Sequence, residues 1–187
     1  MATVPRLWES IKLGFEDAIE KLPKFRKILI KSAIYNSQAY KLARRKFNFL
    51  TVEHVSALQQ VISLIEIFLR FPIHRISSIY LWPKILTKIC GGRLRFPISG
   101  GGAIAPHIDS FFEALGIELL VGYGLTETSP VLTCRRPWRN IRGGAGQPLP
   151  ETEIKIVDPE TFQTKMLRQK GLVLARGPQI MSGYLGK

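Results

Sequence analysis

Residues 121–130 read VGYGLTETSP. Two glycines bracket Tyr123, and two threonines flank one carboxylate, Glu127. The tyrosine ring offers a flat face to a planar base, Thr126 a hydroxyl to a phosphate, and Glu127 a hard oxygen to Mg²⁺. A threonine followed by glutamate at a helix start is equally a plain cap. Taken alone, the stretch supports both readings. A second segment, SGGGA, comprises Ser99, Gly100, Gly101, Gly102 and Ala103 and follows an expected strand. Three residues without side chains let the backbone approach a flat ligand or a phosphate closely. The same glycines also suit a tight strand-to-helix turn. The pattern is not G-x-G-x-x-G, and no Walker lysine follows.

Two more segments, RGGAGQPLPETEIKIVD and KGLVLARGPQIMSGYLGK, are too glycine-rich and too regular in spacing for a random linker. The three histidines, His54, His74 and His107, share no metal-ligand spacing. His107 is either a surface residue at a helix start or the edge of a pocket. Cys90 and Cys134 give no disulfide framework and read as small buried hydrophobes. Trp8, Trp82 and Trp138 read as core or interface anchors. The run RRPWRNIR around Trp138 reads as a solvated loop, with an anion-binding role as the alternative.

Positioning these residues takes two kinds of element. Residues 6–22 place Leu7, Ile11, Phe15, Ala18 and Leu22 at helical steps, and Pro23 ends that stripe. Helical patterns follow over 24–46 (Phe25, Ile28, Leu29, Ala33, Tyr40, Ala43), 53–70 (Val55, Leu58, Val61, Ile62, Ile65, Phe68, Leu69) and 76–90, with a break near Pro83. The apolar faces of these helices are expected to point into a core, with wet basic backs. The texture changes at Gly91. A short strand is expected over 94–98, then the glycine turn, a helix in PHIDSFFEALG stopped by Gly116, and a buried strand in IELLVGYG. Strand, turn, helix and strand in that order imply a parallel α/β unit. The ends at Ile98 and Val121 would then share one sheet edge, where open α/β sheets bind ligands. TEIKIVD and KGLVLARG, set among frequent turn residues, read as a small antiparallel β subdomain. The division is a basic helical region (1–94), an α/β nucleotide-binding unit (95–130) and a β subdomain (131–187).

The chain has 187 residues and a net charge of +13. Residues 1–94 carry 16 basic against 6 acidic side chains, a net +10. That half suits anionic lipid, nucleic acid, an acidic protein or simply a solvated basic face. The N-terminus shows no signal-peptide pattern, and no stretch reaches the roughly 18 apolar residues of a membrane span. The cysteine usage fits a reducing compartment.

Together SGGGA, GYGLTETSP, GGAGQPLPETEIKIVD and GLVLARGPQIMSGYLGK resemble the adenylate-forming enzymes, in order and in spacing. Within them the chain is similar to long-chain acyl-CoA synthetases, and ATVPRLWESI and DSFFEALGIELLVGYGLTETSPVLTCRRPW resemble the acyl-acyl-carrier-protein synthetase branch of cyanobacteria and plastids. The resemblance is specific over 99–187 and looser over 25–88. It implies an α/β fold, part of the N-terminal domain of that family. It implies a reaction that joins a fatty acid to ATP as an acyl-adenylate. The acyl group then passes to coenzyme A or to carrier-protein phosphopantetheine.

By that resemblance Gly101, Gly102 and Ala103 line adenine and the mouth of an acyl tunnel, within a loop that includes Ser99 and Gly100. Tyr123 stacks on adenine, Gly124 allows close approach, Thr126 (after Leu125) contacts the α-phosphate, and Glu127 holds Mg²⁺. Thr126 and Glu127 are the catalytic candidates. The family's phosphate loop is expected before VPRLWES, and its Thr-Gly-Asp motif and catalytic lysine after SGYLGK. The resemblance therefore implies a central piece of a longer enzyme and an isolated chain without ligase activity. Partners so implied are fatty acid, ATP, and coenzyme A or acyl carrier protein. Peripheral membrane contact through residues 1–94 is a further expectation, and nucleic acid is not expected.

Overall fold

Pro5 fits the first turn of a helix, where its missing N–H would be unpaired anyway, and it opens α1 (Pro5–Glu20). The computed structural model describes residues 2–94 and 96–186. Trp8 is the main anchor of α1. Its ring packs edge-on to Phe112 at 4.9 Å. Its indole N–H donates to Thr3 Oγ1 at 2.8 Å, and that hydroxyl donates to the Ile98 carbonyl at 2.9 Å. One side chain thus ties α1 to two strands, β1 (Ala2–Thr3) and β2 (Ile98–Ser99). Burying a ring of this size while pairing its polar edge is the favourable use of tryptophan.

Next come α2 (Lys24–Phe47), α3 (Ala57–Ile76), a π-turn (Ser77–Leu81) and α4 (Trp82–Cys90). α3 starts at a reciprocal cap: the Gln59 amide donates to Ser56 Oγ, and the Ser56 amide donates to Gln59 Oε1. It runs beyond residue 70 through Pro72. Beyond it the chain widens into the π-turn, where the hydroxyls of Ser77 and Ser78 donate to the carbonyls of Ile73 and His74. Pro83 lies in the first turn of α4, which accounts for the expected break. α5 (Pro106–Leu115) ends at Gly116 with φ 97°, and the Ile117 amide returns to the Phe112 carbonyl at 2.9 Å. This is a glycine-terminated helix end.

The main sheet runs β1, β2, β3 (Leu120–Gly124), β4 (Val131–Cys134), β5 (Gln147–Pro148). β1, β2 and β3 are parallel, with Ile98 opposite Leu120 and Ser99 opposite Val121. The α/β class and the shared strand edge are therefore as expected. The strand expected over 94–98 is shorter and later, at Ile98–Ser99; Arg95 lies outside the described residues. β1, β4 and β5 were not anticipated, because two to four residues leave too little alternation to read. β6 (Glu153–Val157) and β7 (Leu172–Arg176) pair antiparallel with no register shift, as expected of TEIKIVD and KGLVLARG.

The core joins Trp8, Ala33, Trp82, Ile108, Phe111, Phe112, Leu115, Ile117 and Leu119. Two expectations are corrected here. Trp138 is 78% exposed and anchors no core. The apolar face of α3 and the first turns of α2 are largely uncovered: Phe25, Ile28, Leu29, Leu58, Val61, Ile62, Ile65 and Leu69 are exposed and Phe68 is 80% exposed, whereas Ala33, Tyr40 and Ala43 of α2 are buried. α3 is apolar nearly all round and buries only Ser63, so helical spacing could not say which face meets the core. Cys134 is buried and Cys90 half-buried, and burial pushes the Cys90 thiol up, as for inert cysteines. No helix among the described residues is long and apolar enough to cross a membrane.

Candidate nucleotide-binding site

The carboxyl ends of β2 and β3 lie side by side, and the segments that leave them build one cleft. It holds about 490 Å³ and is lined by Gly101, Gly102, Ala103, Ile104, Val121, Gly122, Tyr123, Gly124, Arg135, Gly143, Gly144 and Ala145. One wall is the glycine turn after β2, held to β1 by the Gly100 amide donating to the Thr3 carbonyl at 3.0 Å. The opposite wall is the loop at 143–145. Tyr123, part-exposed, stands between them.

Two glycines are required by contact. A Cβ on Gly124 would lie 1.7 Å from the Pro130 carbonyl oxygen, because β3 and β4 close in here with a register shift. A Cβ on Gly146, whose φ is 93°, would lie 2.1 Å from the Arg135 amide nitrogen. Only a residue without a side chain lets the 143–146 loop lie flat on β4.

The 3₁₀ turn Thr126–Thr128 follows β3. Its two threonines have different tasks. Thr128 is buried; its hydroxyl accepts from the Leu125 amide at 2.9 Å and lies 2.8 Å from the Pro130 carbonyl, fixing the turn. Thr126 is exposed. Glu127 is held from a distant part of the chain: its carbonyl accepts the Met181 amide at 2.9 Å, and its Oε1 accepts the Tyr184 phenol at 2.5 Å. The Tyr184 hydrogen bond, then a backbone one, holds the Glu127 carboxyl below the ordinary carboxylate range. The same contact raises the Tyr184 phenol.

The expected residues are thus distributed unevenly. Gly101, Gly102, Ala103, Tyr123 and Gly124 line the cleft together. Leu125, Thr126 and Glu127 follow on the adjoining turn and are not among its lining residues. Ser99 is wholly buried beneath the turn, and its Oγ has no hydrogen-bond partner among the described residues. Gly100 belongs to the β2 exit and is not in the lining. His107 lines a different cavity, beside Lys12, Phe15, Tyr35 and Phe111. Lys187, the last residue of the fourth motif, lies outside the described residues.

Sequence reasoning missed Arg135, Asp109 and Tyr184. RRPWRNIR reads as a solvated loop, yet Arg135 is 3% exposed and its Nη1 donates to Asp109 Oδ2 at 2.7 Å, with Asp109 2% exposed. The only available signal was an acidic residue on an otherwise apolar helix face, four positions into PHIDSFFEALG.

The residue types gathered here are able to hold a planar group and one divalent cation. Four residues of its two walls are glycines, so backbone faces a planar group. The Glu127 carboxyl is held below the ordinary carboxylate range, and one of its oxygens has no side-chain partner among the described residues. Mg²⁺ commonly takes one or two carboxylates and completes its shell with water and substrate phosphates. No cluster of three or more His, Cys, Asp or Glu for a fully protein-held ion occurs among the described residues.

Three parallel strands within a mixed sheet, with a glycine-walled cleft at their carboxyl ends, define an α/β protein whose cleft lies where such sheets bind ligands. The chain belongs to the AMP-binding enzyme family, whose model matches residues 1–185. It is 37% identical over 192 residues to a chloroplastic long-chain-fatty-acid–[acyl-carrier-protein] ligase of Arabidopsis thaliana, a match covering 98% of this chain and 26% of that protein. A probable chloroplastic acyl-activating enzyme of the same plant is 35% identical over the same shares. The chain thus spans about a quarter of the length of these relatives. A long-chain-fatty-acid–CoA ligase of Schizosaccharomyces pombe is 37% identical over 56% of this chain and 16% of its own. Among solved structures, a benzoate CoA ligase from Burkholderia xenovorans LB400 is 27% identical, covering 50% of this chain and 19% of that one, with a TM-score of 0.46.

Proposed function

We propose that this chain carries the nucleotide-binding part of an ATP-dependent long-chain fatty acid ligase. Such an enzyme forms an acyl-adenylate and passes the acyl group to coenzyme A or to carrier-protein phosphopantetheine. The observation that supports this most is the meeting of Gly101, Gly102, Ala103 and Tyr123 in one cleft, with Thr126 and Glu127 on the next turn. In this reading Tyr123 stacks on adenine, and the backbone of 101–103 and Gly124 lets the base and an acyl group come close. The exposed Thr126 hydroxyl contacts the α-phosphate. Glu127 holds Mg²⁺, which when bound offsets phosphate charge as a carboxylate attacks. Ser99, Gly100 and Leu125 contribute backbone to the loops that carry these groups.

Among the described residues the cleft lining contains no lysine. Little of the charge stabilisation for adenylation is therefore present in these residues. The chain by itself is proposed to bind nucleotide without turning it over. Equilibrium dialysis with an ATP analogue and Mg²⁺ tests the first part: binding by the chain, weakened in Tyr123→Ala and in Glu127→Ala, supports it, and binding unaffected by both substitutions refutes it. Pyrophosphate exchange with palmitate and ATP tests the second, and turnover by the chain would refute it. The plastid relatives support a plastid stroma setting, with cytoplasm as the alternative.

A second reading concerns the helical region. The exposed apolar residues of α3 and the basic composition of residues 1–94 favour contact of this region with an anionic lipid surface. Co-sedimentation with anionic but not neutral vesicles, weakening with salt, supports it. Equal recovery with both vesicle types refutes it.

A further inference from the structure

The two walls of the cleft are joined behind it by buried charge. Asp109 lies in the first turn of α5, which follows directly from the glycine turn that forms one wall. Arg135 follows β4 and leads into the loop that forms the other. Arg135 Nη1 donates to Asp109 Oδ2 at 2.7 Å, Arg135 Nε donates to the Gly144 carbonyl at 2.7 Å, and the Arg135 amide donates to the Val121 carbonyl at 2.9 Å. One side chain therefore touches α5 and the 143–145 loop while its backbone pairs with β3.

The far end of that loop is tied to the same helix. Arg142 lies against Asp109 at 3.7 Å and pairs with Glu113, which also accepts from Arg45 Nε of α2 at 2.8 Å. The Thr133 hydroxyl donates to the Ala145 carbonyl at 2.7 Å, closing the loop onto β4. The cluster is too buried to be surface ion pairing, and a buried charge left without its partner destabilises strongly. Moving one wall thus exposes or unpairs charge attached to the other.

We propose that Asp109 and Arg135 form a brace that sets the spacing of the two cleft walls, with Arg135 a positioning residue for whatever lies between Gly102 and Gly144. The nature of that ligand rests on the nucleotide reading above; the brace itself does not.

The test is amide hydrogen exchange by NMR at Asp109, Arg135 and Gly144, with the ladder of β6 and β7 as reference. Asp109 makes no hydrogen bond to Gly144. Asp109→Asn nevertheless should speed exchange at Gly144 at least tenfold while the reference amides keep their rates. Unchanged exchange at Gly144 would overturn the brace. Should that variant fail to fold, the double variant Asp109→Leu, Arg135→Met removes both charges at once. It should fold and still show fast exchange at Gly144, and wild-type protection there would overturn the brace.

MgATP affinity of the same variants is the second readout. Where the wild type binds MgATP, a loss of about tenfold is expected with the fold intact, and unchanged affinity counts against the brace. A wild type that binds no nucleotide contradicts the nucleotide reading, while the exchange result still decides the brace.

Discussion

The phenol of Tyr184 donates to Oε1 of Glu127 at 2.5 Å, across 57 residues of sequence. The Met181 amide grips the Glu127 carbonyl as well, so the segment after β7 holds the candidate metal ligand at two points. A hydrogen bond to an ionised carboxylate favours the ionised form. Tyr184→Phe should therefore raise the Glu127 titration toward the ordinary carboxylate range, followed by the NMR shift of its carboxyl carbon. A titration identical to wild type would mean that the contact does not hold in solution.

Gly124 should not tolerate a side chain. The added methyl of Gly124→Ala meets the Pro130 carbonyl, which is backbone and has little room to yield. A loss of about 2–4 kcal/mol is expected in urea unfolding, in the range of severe overpacking. A loss below about 0.5 kcal/mol would show that β4 can move aside.

A buried and an exposed phenylalanine should differ sharply. Phe112 is fully buried between Trp8 and Phe111, so Phe112→Ala should cost about 3–5 kcal/mol. Phe68 is exposed, and Phe68→Ser should change stability by no more than about 0.5 kcal/mol. Equal losses for both would place Phe68 in a packed environment.

His74 makes stability depend on acid. Its ring stacks on Tyr40 at 4.2 Å with Nδ1 3.0 Å from Ser37 Oγ. Burial, with Lys41 and Arg44 adding repulsion, lowers its pKa from 6.5 to about 4. A histidine depressed in the folded state contributes stability above its unfolded pKa, and that contribution is lost as pH falls through the folded value. Thermal midpoints should fall between pH 6.5 and about 4, and His74→Gln should flatten that part of the profile. An unaltered slope in the variant would assign the acid sensitivity to other groups.

Much of the scaffold was legible because its signals are local. Gly116 after an amphipathic run marks a helix end, and the strand, turn, helix and strand order around Ser99 forces Ile98 and Val121 to one edge. The brace was not legible, since Asp109 and Arg135 are 26 residues apart and each alone resembles a surface charge. Nor was the open face of α3. Val61, Ile65 and Phe68 have core spacing, but spacing carries no information on whether a partner covers them. Ser99 illustrates the opposite limit: its place in the motif was plain, yet its side chain is buried by the parallel pairing of β2 with β3.

The central claim is that Tyr123 and Glu127 serve one nucleotide–metal site. The most direct measurement is ATP affinity with and without Mg²⁺ by titration calorimetry, for the wild type, Tyr123→Ala and Glu127→Ala. The account predicts tighter binding with Mg²⁺ in the wild type, a lost Mg²⁺ increment in Glu127→Ala with metal-free affinity retained, and weaker binding under both conditions in Tyr123→Ala. An Mg²⁺ increment that survives in Glu127→Ala, or a wild type with no affinity for ATP, would contradict it.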